Sequence, residues 1–211
     1  MPKHLALYYN AATMSEHNAP TLPPKKAPDV HPVWEVIRFA IIALPLVFLF
    51  RSFIAQPFVV RGGSMEPTFQ NNEYLIVYEL PYHFRDPERG DVVVFQYPND
   101  PKQHFVKRVV ALPGETIEIR NNQITIYNKE NIDGLVIDEP HIESPTHGNL
   151  RTTLKEDEFF VLGDNRNNSS DSRFWGPLEK EFITGRALLR LWPVNSLSVN
   201  PGDLDETYDI D

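Results

Sequence analysis

Residues Thr116–Tyr127 read TIEIRNNQITIY. Ile117 and Ile119 alternate with polar residues, and Ile124 and Ile126 do the same after Asn121-Asn122. Successive side chains of a strand point to opposite faces, so each half offers one apolar face and one wet face. Asparagine tolerates the left-handed backbone of a tight turn, so the pair of asparagines is expected to close a hairpin. Outward from this hairpin, short runs rich in β-branched and aromatic residues recur at Tyr74–Tyr78 (YLIVY), Val92–Phe95 (VVVF), Phe105–Val110 (FVKRVV), Phe159–Leu162 and Ala187–Trp192. Helical periodicity is weak, apart from the run after Pro177. The pattern predicts a mainly β, antiparallel fold, strand-rich from residue 61 and bounded as a domain at residues 55–195. A length of 211 residues suits one such domain with a small second lobe.

The two ends differ from this middle. Six prolines fall within residues 1–32, among small and polar residues, which predicts a disordered tail. Residues 196–211 carry Asp203, Asp205, Glu206, Asp209 and Asp211 and are expected to form an acidic solvated tail. Between the N-terminal tail and the β region, Phe39–Phe50 reads FAIIALPLVFLF, without a charge. That run spans only about 18 Å, short of the ~30 Å hydrocarbon core, whereas Val33–Phe53 is long enough. Arg38 and Arg51 lie near its ends and can snorkel, and Trp34 suits an interface. A cleaved leader fits poorly, because the preceding segment is too long and Phe53 occupies the position where a small residue is wanted. A buried core helix and a membrane anchor both remain; residues 33–54 are read as one transmembrane helix. Lys25, Lys26 and Arg38 before the span are nearly balanced by Arg51 and Arg61 after it, so charge alone does not set its orientation.

Composition removes several function classes. The net charge of −9 argues against nucleic acid as a partner. The absence of cysteine removes disulfides, thiolate metal sites and thiol nucleophiles. The seven histidines form no HExxH pair, and His141 and His147 lie in a loop-like stretch, so no metal and no cofactor is expected.

Three segments carry possible chemistry. Arg61–Phe69 reads RGGSMEPTF; glycines beside Ser64 would let one residue supply a nucleophile and an oxyanion donor, although a plain Gly-Gly turn has the same letters. Lys107 shares its strand face with Phe105 and Val109. On an apolar face it would lose solvation and shed its proton, becoming a base; on an edge strand it would instead be a solvated guard against aggregation. Gly163–Arg173, GDNRNNSSDSR, is a polar loop that could hold a catalytic group in place.

Taken in order, these segments resemble the bacterial type I signal peptidases (leader peptidases of the peptidase S26 family). The resemblance rests on Ser64-Met65-Glu66-Pro67-Thr68, then Gly90–Phe95 (GDVVVF), then Lys107–Glu115 (KRVVALPGE), then Gly163–Arg173. It covers roughly Arg51 to Trp192 and implies a Ser–Lys endopeptidase. Ser64 matches the nucleophile, Lys107 the general base, and Ser169 the hydroxyl that orients the lysine. Asp171 and Arg173 match a structural ion pair, and Arg108 matches the arginine beside the base. Met65 is expected beneath the nucleophile. Gly62 stands where many members place a hydroxyl, so the side-chain oxyanion donor is absent and the Ser64 amide carries more of that role. Asn167 stands where Asp is common. The stretch Asn128–Leu154 is short for the family's second lobe.

The same resemblance implies the substrate and setting. Secreted preproteins with Ala-x-Ala-like cleavage sites would bind as an extended strand against Phe58–Gly63 and His104–Lys107, touching Phe58, Val60, Gly63, Met65, His104 and Phe105. The lipid bilayer would be the second partner, with a single-pass anchor in the bacterial inner membrane and the catalytic domain on its extracytoplasmic side. Two rivals stand beside this reading: a self-cleaving repressor-type Ser–Lys protease, which would need a DNA-binding segment before the serine, and a membrane-anchored β module or pseudo-enzyme that binds exported peptides without cleaving them.

Overall fold

The structure is a computed structural model that describes residues 32–53 and 55–204. The expected tail at 1–31 and the acidic residues 205–211 lie outside the described residues. The chain divides into two units, residues 1–42 and 43–211. Helix α1 runs Pro32–Phe53. Its large apolar residues up to position 48, among them Val33, Val36, Phe39, Ile42, Leu46 and Phe48, are exposed and fall on every side of the helix. Side chains are described only as far as residue 48. Among the described residues, no helix is long and apolar enough to cross a membrane.

The β region forms two sheets. The strands are β1 (Ala55–Val59), β2 (Tyr74–Tyr78), β3 (Val92–Tyr97), β4 (Asp100–Ala111), β5 (Thr116–Arg120), β6 (Gln123–Tyr127), β7 (Leu135–Val136), β8 (Leu150–Thr153), β9 (Glu158–Leu162), β10 (Leu178–Glu179), β11 (Ile183–Trp192) and β12 (Ser198–Val199). The larger sheet has the order β1-β2-β11-β3-β4-β9-β10, with β12 added to β11. The smaller runs β7-β6-β5-β8. Every pairing is antiparallel.

The Asn121-Asn122 hairpin forms in the expected register, Ile117 opposite Ile126 and Ile119 opposite Ile124. Both asparagines are left-handed, at φ 51° and 63°. The four isoleucines are buried in one cluster with Val110, Ala111, Phe160 and Leu162, so the smaller sheet packs on the ends of β4 and β9. Full burial of each such side chain is worth about 1.5–3 kcal/mol. The smaller sheet takes in this hairpin together with the stretch expected to be a second lobe.

On the larger sheet, alternation sorts side chains into two further cores. Val93, Phe95, Val109, Phe159 and Val161 pack together. Val92 joins Val60, Met65, Phe69, Leu75 and Ala187. Lys107 belongs to β4, where it pairs with Val93 of β3; β9 pairs with β4 only from Arg108 onward.

Three local expectations change. The run after Pro177 forms the two-residue β10 and one 3-10 turn at Lys180–Phe182 before β11 begins, because β11 draws Ile183–Arg186 into register with β3. A short helix, α2, occupies Ser172–Trp175 and is capped by Asp171, whose side chain accepts from the Arg173 N–H. The start of the acidic end is folded rather than solvated: β12 pairs Leu189 with Val199, and Pro201 is buried.

Candidate active site

Ser64 sits in the loop after β1. Gly62 takes φ +84°, a left-handed turn that suits a residue without Cβ, and its N–H donates to Asn71 Oδ1 at 3.0 Å. This fixes the approach to Ser64. Beneath it, Met65 (1% exposed) and Val60 (6%) pack with Phe69 and Leu75. Both are buried side chains that pack under the loop carrying Ser64.

The loop from 163 to 171 closes over Ser64 from the other side. The Asn165 N–H donates to the Ser64 carbonyl at 3.1 Å, and Asn165 Nδ2 donates to the Gly63 carbonyl at 3.0 Å. The approach is closest at Gly163. A Cβ there would come 2.4 Å from the Ser64 carbonyl oxygen and 2.2 Å from Ser169 Oγ, so only glycine fits. Gly163 and Asn165 escaped the sequence reading, since one glycine and one asparagine in a polar loop carry no mark of a contact a hundred residues away.

Lys107 enters from β4. Its Nζ donates to Ser64 Oγ at 2.7 Å and to the Val106 carbonyl at 2.9 Å, and lies 5.3 Å from the centre of the Phe105 ring. The residue is 3% exposed and makes no ion pair among the described residues. Burial lowers its pKa to about 8, against the pull of the Asp171 and Asp164 carboxylates, which favour the charged form. A neutral amine at this distance can accept the serine proton.

The remaining charges are paired. Arg108 and Asp164 form a bidentate pair at 2.9 and 2.6 Å with neither side chain exposed. Burial alone would raise the Asp164 carboxyl; the hydrogen bonds and charge of Arg108, with Thr68 Oγ1 at 2.5 Å, hold it below the usual carboxylate range. Arg173 and Asp171 form a second bidentate pair at 2.8 and 2.9 Å. Asp171 also accepts from the Gly163 N–H at 3.2 Å. Arg166, buried, binds Glu139 at 2.5 and 2.6 Å and ties the loop after β7 to the 163–171 loop.

Ser169 is near the site and not yet engaged with it. Its Oγ is buried and has no hydrogen-bond partner among the described residues, so the expected bond to Lys107 is not made there. Phe58 and His104 meet with ring centroids 5.2 Å apart, bringing two of the expected substrate contacts together. A cavity lined by Gln56, Glu79, Gln96 and His104 adjoins them, and another lined by Glu66, Pro67, Gln70, Glu143 and Asn165 flanks the other side of the Ser64 loop. Among the described residues, no three His, Asp or Glu side chains converge to hold a metal ion.

A serine hydroxyl bonded to a buried, unpaired lysine is the arrangement of a Ser–Lys hydrolase. The family model described as "Signal peptidase, peptidase S26" matches residues 33–192. The chain belongs to this family. A signal peptidase I of Leptolyngbya laminosa is 38% identical over 79% of this chain and 83% of its own length. A probable signal peptidase I-1 of a Synechocystis species is 40% identical over 76% of this chain and 83% of its own. A signal peptidase I of Bacillus subtilis, form P, is 36% identical over 76% of this chain and 90% of its own. The S26 membership covers both the segment with Ser64 and the segment with Lys107.

Proposed function

We propose that this chain is a membrane-anchored serine endopeptidase that removes N-terminal signal peptides from secreted preproteins, with Ser64 as nucleophile and Lys107 as general base. The observation that carries the reading is the 2.7 Å bond between a half-buried serine hydroxyl and a lysine kept from water.

Lys107 Nζ takes the proton from Ser64 Oγ as the oxygen attacks the scissile carbonyl. The resulting ammonium gives that proton to the leaving amine, and an acyl-enzyme remains. The neutral amine then activates water, which releases the signal peptide and restores Ser64. None of the hydrogen bonds among the described residues uses the Ser64 N–H, which supports its role as the oxyanion donor. A good donor of this kind is worth roughly 3–4 kcal/mol. Every step is carried by side chains, backbone and water.

The substrate lies as an extended strand. Among the described residues β1 pairs only with β2, which leaves its other edge open to a further strand, and Phe58 and His104 stand beside it. Small residues at the first and third positions before the cut suit the shallow floor made by Val60 and Met65. The anchor reading rests on α1, whose apolar side chains face outward all round, as in a helix solvated by lipid. It places the chain as a single-pass protein of the bacterial cell membrane, with the catalytic domain on the extracytoplasmic side. Tethering enzyme and substrate to one surface raises their effective concentration.

The test is incubation of the full chain, in liposomes, with a preprotein bearing an Ala-x-Ala site. Processed product that disappears with Ser64→Ala is the expected result. Binding of the preprotein with no cleavage would favour the non-enzymatic β module instead.

A further inference from the structure

We propose that residues 198–203 form a positioning hook, whose Gly202 carbonyl completes the coordination of buried Arg108 and thereby holds the Lys107–Ser64 dyad in its working state. The proposal rests on the peptidase reading above for its catalytic consequence.

Arg108 has 0% exposure and presents its guanidinium to four acceptors. Nε and Nη2 bind Asp164, and Nη1 binds the Gly90 carbonyl at 2.9 Å and the Gly202 carbonyl at 2.6 Å. Three of the acceptors come from segments within the sheet region. The fourth comes from ninety-four residues further along the chain. A hydrogen bond lost by a buried guanidinium is costly, so the Gly202 carbonyl strengthens the hold on Arg108.

The hook is built to put that carbonyl in place. β12 pairs with β11, the Asn200 N–H donates to the Leu188 carbonyl at 2.7 Å, and Asn200 is left-handed at φ 48°. Pro201 is buried, and the Asp203 N–H donates back to the Asn200 carbonyl. Asp203 then pairs with Arg186 of β11, which clamps the outer side. Gly202 has φ +86°, and a Cβ there would lie 3.0 Å from Thr68 and Val92 and 3.1 Å from Phe69. The glycine thus lies against the segment that follows Ser64 as well as against Arg108.

The path from hook to dyad is short. Arg108 neutralises Asp164, and Asp164 also accepts from Thr68, four residues past the nucleophile. The charged groups bearing on the Lys107 amine are Asp171 and Asp164 from the 163–171 loop; Ser64 Oγ and the Val106 carbonyl accept from it. Releasing Gly202 admits water to Arg108 and loosens its hold on Asp164. The less-neutralised carboxylate then favours the charged amine. Each unit by which the Lys107 midpoint rises removes about nine-tenths of the neutral base at pH 7, a roughly tenfold loss of rate.

Two variants test this: Gly202→Ala, which drives the hook outward, and Asp203→Ala, an exposed change that only releases the clamp. The Lys107 midpoint is read by NMR on ε-13C-labelled lysine, independently of turnover, and kcat and KM are read on a preprotein. The expected result is a higher Lys107 midpoint in both, about one unit for Gly202→Ala and less for Asp203→Ala, with kcat at pH 7 reduced and KM within twofold of wild type. Unchanged midpoints in every variant that folds would overturn the hook, even if melting temperatures fall, and Asp203→Ala decides alone if Gly202→Ala does not fold. A wild-type chain that cleaves no preprotein would count against the peptidase reading, while the NMR titration would still decide the hook.

Discussion

Lys107 and Arg108 are neighbours on β4 with opposite electrostatic fates. Arg108 is wholly buried and meets a carboxylate in two hydrogen bonds, so its charge is satisfied. Lys107 is almost as buried but meets a hydroxyl and a carbonyl, neither of which balances a full charge. Alternation along the strand sends the two side chains to different faces. One face holds a permanent cation in place, and the other weakens a cation's hold on its proton. The catalytic proposal depends on that difference.

The dyad is tested by Ser64→Ala and Lys107→Met. Each is expected to lower kcat by roughly 10⁶-fold, as losing a nucleophile or its base does in serine hydrolases. Lys107→Met keeps the apolar stem and removes an uncompensated polar head, so its melting temperature should equal or exceed that of wild type. Turnover by Lys107→Met within tenfold of wild type at neutral pH would show that another group is the base.

The rate should follow the deprotonation of Lys107. With a midpoint near pH 8, kcat/KM is expected to rise tenfold per unit below it and to level off above it. Stability should follow the same group. The unfolded lysine titrates near 10.5 and the folded one near 8, so between these values the unfolded chain holds the extra proton. Stability from this group therefore rises with pH across that window, and its burial costs up to about 3 kcal/mol below pH 8. Thermal melts of wild type and Lys107→Met from pH 7 to 10 check this; parallel curves would contradict it.

Asp164→Asn leaves the Arg108 charge buried without its counter-charge. Breaking such a pair is expected to cost about 3–5 kcal/mol, or a melting temperature lower by about 10 °C. Denaturant unfolding at pH 7 measures it. A loss below 1 kcal/mol would mean that water reaches Arg108 and that the site is less dry than described.

Ser169→Ala separates orientation from stability. The Ser169 hydroxyl is buried without a partner, so its removal should not lower the melting temperature. Activity is expected to fall, by less than about 100-fold, if the hydroxyl turns to Lys107 during turnover. A loss as large as that of the dyad variants would make Ser169 a participant in proton transfer.

The local parts of this protein were legible from the letters alone. Two asparagines between alternating isoleucines specify a hairpin whatever surrounds it, because turn and alternation are set by residues in contact along the chain. The same holds for the runs at 74–78, 92–95 and 159–162. β1, α2 and β12 were not legible: each is short, has little pattern of its own, and exists because a longer strand or a capping Asp171 offers it hydrogen bonds. In the site, Ser64 and Lys107 stood out through motif order. Asp164 did not, because nothing in GDNRNNSSDSR distinguishes the aspartate that binds Arg108 from the one that binds Arg173.

The chain's order of residues therefore determined the periodicity and the turns, since these depend on chemistry within a few positions, while Ser64 and Lys107 were marked out by the resemblance of four motifs in order. Whether Lys107 is a solvated residue or a buried one was decided only by folding, when the loop at 163–171 closed on Ser64 and the Lys107 amine came to lie against the Ser64 hydroxyl. A lysine's proton affinity depends on the water removed around it, and that water is removed by segments far away in sequence.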